Sequence, residues 1–196
     1  MKRILTALAL TAAVGFAVPA FAADTAEVGK PAPAFTLKDE AGKEHSLSQY
    51  QGKIVVLEWT NKECPFVQRH YKAKTMQNTL KGFDANKVVW LAVNSTNTVT
   101  ASADATWKKE QGFAYPVLQD PAGTVGKAYG AKTTPHMYVI DEKGVVRYAG
   151  AIDDDPRGKN ATAVNHVKTA VDALLSGKPV PAASTEPYGC SVKYKS

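Results

Sequence analysis

Two stretches of the chain are almost continuously apolar and β-branched: Ile54-Val55-Val56-Leu57-Glu58-Trp59 and Val88-Val89-Trp90-Leu91-Ala92-Val93. Runs of this length without alternation predict strands covered on both faces, as in a parallel sheet. Between them, Phe66, Val67, Tyr71, Met76 and Leu80 recur at about helical spacing and predict one helix from Pro65 to about Leu80. A second helix is expected over Ala101–Gln111, a short extended piece over Tyr115–Leu118, and a short helix over Thr124–Tyr129 ended by Gly130. Met137–Ile140, the turn residues Asp141–Gly144 and Val145–Tyr148 read as a hairpin. Ala161–Leu175 puts Val164, Val167, Val171, Leu174 and Leu175 on one side of a helix that Gly177 stops.

The flanks are weaker. Phe35–Lys38 and Glu44–Leu47 enclose Asp39–Lys43 and predict an N-terminal hairpin, preceded by an extended lead-in over Ala23–Ala34. Pro179–Ser196 has no periodicity and reads as a tail. Strands that alternate with helices and close on a hairpin predict an α/β domain. Its central mixed sheet would carry helices on both faces.

The N-terminus changes this picture. Met1-Lys2-Arg3 precedes an apolar run from Ile4 to about Val18, and Pro19-Ala20-Phe21-Ala22 follows. A basic start, an apolar stretch of roughly 7–15 residues and an A-x-A-like end make a secretory signal peptide. Cleavage is expected after Ala22, with a secreted or periplasmic product. The run is too short for a membrane span, which needs about 20 residues. The expected division is therefore 1–22 signal peptide, 23–178 one domain, and 179–196 a C-terminal tail.

Charge adds little. The 24 basic and 18 acidic residues give +6, and removal of Lys2 and Arg3 leaves +4, spread without a dense basic block. A nucleic-acid partner would want a concentrated patch. The two cysteines, Cys64 and Cys190, are too few for a disulfide framework and suggest thiols that are used.

Cys64 follows the first buried strand and directly precedes Pro65, a residue favoured at the first helical position. Its sulfur should lie over unpaired helix N–H groups at the positive end of the dipole, which lowers a thiol pKa. An inert buried cysteine is the alternative. Thr133-Thr134-Pro135-His136 leads into a strand, so Pro135 must take its first position or a turn, in cis or trans form. In a sheet of this order, Thr134 and Pro135 face the start of the first helix. Of the four histidines, only His136 invites a test as proton donor; His70 should face another side of the helix. No spacing suggests a metal site, and Asp153-Asp154-Asp155 reads as a solvated turn.

Taken in order, Val28-Gly29-Lys30-Pro31-Ala32-Pro33-Ala34-Phe35, the Ile54–Trp59 strand, Asn61-x-x-Cys64-Pro65, and Thr134-Pro135 with Val139-Ile140-Asp141-x-x-Gly144 resemble the redoxin branch of the thioredoxin superfamily. That branch includes peroxiredoxins of the alkyl hydroperoxide reductase/thiol-specific antioxidant type. The closing Gly189-Cys190-Ser191-Val192-Lys193 resembles the tail of a peroxiredoxin-like subgroup. The resemblance implies a thioredoxin fold with a redoxin-type insert, Cys64 as the peroxidatic cysteine and Pro135 as the cis-proline. It also departs from the pattern in two places. Asn61 stands where peroxiredoxins carry Thr or Ser, and no Arg lies near Pro135, leaving Arg69 or Arg147 as substitutes.

The expected chemistry is thiol-dependent oxidoreduction without a bound cofactor. Cys64 attacks a peroxide or a protein disulfide, while helix N–H groups, Thr60 and Asn61 stabilise developing charge. Thr134 and Pro135 hold the incoming group. With Val67 at the position of a C-x-x-C partner, the second thiol must be Cys190 or an external one. A thiol reductant or a thioredoxin-like donor would restore the enzyme. The competing expectation is a redox-inert thioredoxin-like binding module in which Cys64–Cys190 is a structural bridge.

Overall fold

The computed structural model describes residues 25–195, so the signal peptide expected at 1–22 lies outside the described residues. In chain order the elements are β1 (Thr36–Lys38), β2 (Glu44–Ser46), β3 (Ile54–Trp59), α1 (Pro65–Lys72), α2 (Thr75–Lys81), β4 (Val88–Asn94) and α3 (Ala101–Gln111). There follow β5 (Val117–Gln119), α4 (Thr124–Tyr129), β6 (Thr133–Thr134), β7 (His136–Ile140), β8 (Val146–Gly150), α5 (His166–Leu175) and β9 (Cys190–Ser191). β1 and β2 form the expected hairpin.

The central sheet runs β5-β4-β3-β7-β8. β3 is parallel to β4 and β4 to β5, whereas β7 is antiparallel to both β3 and β8. This is the central mixed sheet that the alternating pattern predicts, in the thioredoxin arrangement that the resemblance implies. All six residues of β3 are buried. Ile54 and Val56 enter the core shared with Val67, Tyr71, Val167 and Val171, and Val55, Leu57 and Trp59 enter the one on the other face. Each such side chain contributes about 1.5–3 kcal/mol of transfer free energy, which is why a continuous apolar run settles in the middle of the sheet. Among the described residues no helix is long and apolar enough to cross a membrane.

Three expectations are corrected. The single helix over Pro65–Leu80 is two helices, broken at Lys74, whose φ of 56° and ψ of 29° are left-handed. Tyr71 and Met76 are buried on either side of the break, so the apolar spacing continues through it and hides it. The last helix starts at His166, with the Asn165 side chain accepting from the Lys168 N–H, and Val164 is left exposed. The reason is that Asp154 and Asp155 take the N–H groups of Val164 and Asn160 and hold 160–164 as a loop. Asp153 and Asp155 are therefore buried, not part of a solvated turn.

The tail is ordered by pairing along its length. Ala149 N–H donates to Ala183 and Thr185 N–H to Ala149, along the free edge of β8. β9 pairs antiparallel with β6, Thr134 opposite Cys190. Beyond it, Val192 N–H donates to Lys132, Asn97 N–H to Lys193, and the Tyr194 hydroxyl to the Ala131 carbonyl. The tail thus crosses the molecule as a strap.

Candidate active site

Cys64 is the N-cap of α1, with extended backbone (φ −79°, ψ 120°) and Pro65 first in the helix. Its own N–H donates to the Asn61 carbonyl at 3.0 Å, and its carbonyl accepts from Gln68. The geometry follows from the local sequence: a buried strand ends, a short turn follows, and Pro65 fixes the first helical φ where no N–H is needed.

The strap brings Cys190 to this spot. The two sulfurs lie 2.8 Å apart and both are free thiols. As a thiol, Cys64 also donates to the Thr134 carbonyl at 3.0 Å. Cys64 is 1% exposed, while Cys190 is half-buried. Burial opposes ionisation of Cys64. Hydrogen bonds from the Cys190 thiol, the Thr134 side chain and the N–H groups of Val67 and Cys190 outweigh it, and the pKa falls below the ordinary thiol value. Cys190 moves the other way, to about 11, through burial and then through the bond and charge of Cys64, with Lys193 opposing. The two thiols are thereby shifted in opposite directions, Cys64 down and Cys190 up.

Thr134-Pro135 is a cis peptide beside the pair. Gly189 packs against the same peptide, with φ of +137° and no room for a Cβ. Thr60 is buried at the end of β3, its N–H on the Val93 carbonyl, and its hydroxyl does not join the sulfur pair. The Asn61 side chain accepts from the Glu63 N–H at 2.9 Å, so it shapes the turn before Cys64. Of the expected set, Cys64, Cys190, Pro65, Thr134 and Pro135 converge; Thr60 and Asn61 support them from the strand end and the turn.

The histidine and arginine expectations change. His136 accepts the Lys132 N–H at Nδ1, and burial, then the charge of Lys132, lowers its pKa to about 4. It is a neutral core histidine and not a proton donor to the sulfurs. Arg147 pairs with Asp141 at 2.6 Å. Arg69 and His70, by contrast, meet Tyr188 of the strap, at 3.4 and 2.9 Å from its hydroxyl. His70 was expected on another side of the helix, and that side is where the strap docks. Tyr188 also donates to the Asp153 carboxylate. The sequence signal for this cluster was an aromatic residue two positions before a cysteine in an aperiodic tail, too little to connect it with α1.

Glu58 went unnoticed inside an apolar strand. Its carboxylate is fully buried and accepts from Trp90 Nε1 at 2.9 Å and from the Tyr71 hydroxyl at 3.0 and 3.1 Å. Desolvation pushes its pKa up to about 7 against those hydrogen bonds.

Residues 28–149 match the AhpC/TSA family. The chain is 31% identical over 150 residues to thiol-disulfide oxidoreductase ResA of Geobacillus thermodenitrificans, covering 75% of this chain and 84% of that one. It is 29% identical over 135 residues to the chloroplastic peroxiredoxin Q of Suaeda salsa, covering 61% of this chain and 57% of that one. A crystal structure of a hypothetical protein from Sinorhizobium meliloti 1021 aligns with a TM-score of 0.75 at 27% identity, over 88% of this chain and 97% of the other. With the family match spanning most of the described domain and the sulfur site seated at a strand–helix junction beside a cis-proline, the chain belongs to the AhpC/TSA family, in the redoxin branch of the thioredoxin superfamily.

Proposed function

We propose that this protein is an exported thiol oxidoreductase of peroxiredoxin-like type, with Cys64 as nucleophile and Cys190 as resolving thiol. The observation that carries the reading is the sulfur pair 2.8 Å apart with opposite pKa directions. Export rests on the leader-like residues 1–22.

The Cys64 thiolate attacks one oxygen of a hydroperoxide. The O–O bond breaks, Cys64 becomes a sulfenic acid, and the second oxygen leaves as alkoxide or hydroxide, taking a proton from solvent. The Cys190 thiol then displaces the hydroxyl, so that a disulfide forms and water leaves. Two external thiols, from a small reductant or a thioredoxin-like donor, restore both cysteines and become a disulfide themselves. The N–H groups at the start of α1 stabilise charge on the Cys64 sulfur, and Thr134-Pro135 walls the site. A peroxide suits the Cys64 position better than a protein disulfide, because the strap leaves so little of Cys64 exposed.

The test is turnover of hydroperoxide and of a protein disulfide by wild type, Cys64→Ser and Cys190→Ser, with dithiothreitol as reductant. Loss of peroxide turnover in Cys64→Ser is expected, with a trapped sulfenic acid in Cys190→Ser. Equal behaviour of all three proteins overturns the catalytic reading in favour of a structural bridge.

A further inference from the structure

We propose that Tyr188 is the positioning residue for Cys190: it docks the strap onto α1, the helix that carries Cys64, and so sets how readily the two sulfurs join. The inference rests on the Cys64–Cys190 chemistry proposed above and adds the residue that controls it.

The geometry is specific. Phe66, Arg69 and His70 stand at i, i+3 and i+4 on α1 and therefore share one face of that helix. All three address Tyr188. The Phe66 and His70 rings lie 6.0 and 6.1 Å from its ring, and the Arg69 and His70 side chains reach its hydroxyl. A tyrosine hydroxyl has one proton and two lone pairs. Here the proton goes to Asp153, a lone pair faces Arg69 Nη2, and His70 Nε2 lies 2.9 Å from both the Tyr188 oxygen and Arg69 Nη2, so the three groups form one cluster. Arg69 also donates to the Asp155 carbonyl at 3.0 Å, which ties the grip to the loop after β8.

Only Gly189 separates Tyr188 from Cys190. The Cys64 sulfur and three of the side chains that hold Tyr188 thus sit on α1, so this grip ties the Cys190 segment to the helix that Cys64 caps. The other fastenings near Cys190 are slighter. β9 offers only two residues of ladder, and Tyr194 lies four residues further on with a single bond to Ala131. Loss of the Tyr188 hydroxyl frees the segment that presents Cys190 while its aromatic packing on Phe66 persists.

The experiment is a glutathione redox titration of the full chain. Two protein thiols and one glutathione disulfide exchange to give the Cys64–Cys190 disulfide and two glutathione thiols, so the equilibrium constant reports the effective concentration of one sulfur at the other. Tyr188→Phe is expected to lower that constant about tenfold, a rise in reduction potential of about 30 mV. Tyr194→Phe, the same deletion at the far end of the strap, is expected to change it less than twofold. If Tyr188→Phe does not fold, as read by circular dichroism, Asp153→Asn replaces it and should shift the potential in the same direction. An unchanged potential in the folded Tyr188 or Asp153 variant overturns the positioning role, as does an equal shift in Tyr194→Phe. Failure of the wild type to form the disulfide at any glutathione ratio instead overturns the proposed function on which this inference rests.

Discussion

A Cβ on residue 189 would stand 2.1 Å from the carbonyl oxygen of Thr134, because Gly189 is pressed against the peptide that precedes Pro135. The obstacle is backbone, which cannot rotate aside, and the φ of +137° excludes other residues independently. Gly189→Ala should therefore lift the strap around Cys190 while the central sheet, whose fully buried side chains come from other segments, stays folded. Cys64 then becomes reachable, and its alkylation by iodoacetamide should accelerate at least about tenfold, the equivalent of about 1.4 kcal/mol of lost docking. Peptide mapping of the labelled cysteine measures this; an unchanged rate at Cys64 would rule out the strap as its cover.

The Cys190 thiol heads the hydrogen bonds that favour the Cys64 thiolate. Cys190→Ala removes that donor and should raise the pKa of Cys64, seen as a later rise of thiolate absorbance at 240 nm during titration. A fall or no change would show that the helix N-terminus and the Val67 N–H suffice alone.

Glu58 has its pKa raised by burial to about 7, from the ordinary value near 4.3. Between these values the unfolded chain has released a proton that the folded state keeps, so this residue makes stability fall as pH rises and levels off above about 7. Glu58→Gln keeps an acceptor for Trp90 and Tyr71 and cannot ionise. At pH 8 it should gain on the order of 3–4 kcal/mol relative to wild type, with the gain vanishing near pH 4. Urea unfolding at the two pH values decides it, and a gain that does not depend on pH refutes the assignment.

His70 and His136 act in the opposite sense. Burial is the first cause that lowers each to about 4, followed by the charge of Arg69 for His70 and of Lys132 for His136. As pH drops below about 6.5 the unfolded chain takes up protons that the fold refuses, and stability is lost down to about pH 4. Each histidine is expected to cost on the order of 3 kcal/mol across that window. His136→Gln should flatten the acid limb of a plot of urea midpoint against pH; an unaltered slope would mean that His136 is protonated in the folded state.

The pattern of apolar residues determined the central strands on its own, because β3 and β4 are buried on both faces and need no partner to declare themselves. It also determined the placement of Cys64, since Pro65 marks a helix start and the preceding residue must be its N-cap. Local signals failed where one residue answers to a distant one. Lys74 breaks a helix whose apolar spacing runs on, because both halves face the same core. Asp153 and Asp155 look like surface charge until the loop at 160–164 and Tyr188 bind them. Above all, the tail has no period of its own, since its structure consists of bonds made to β8, α1, β6 and the segment 131–132. The chain could name Cys190 or an external thiol as the second one; only folding, by bringing Cys190 across 126 positions to within 2.8 Å of Cys64, placed it there.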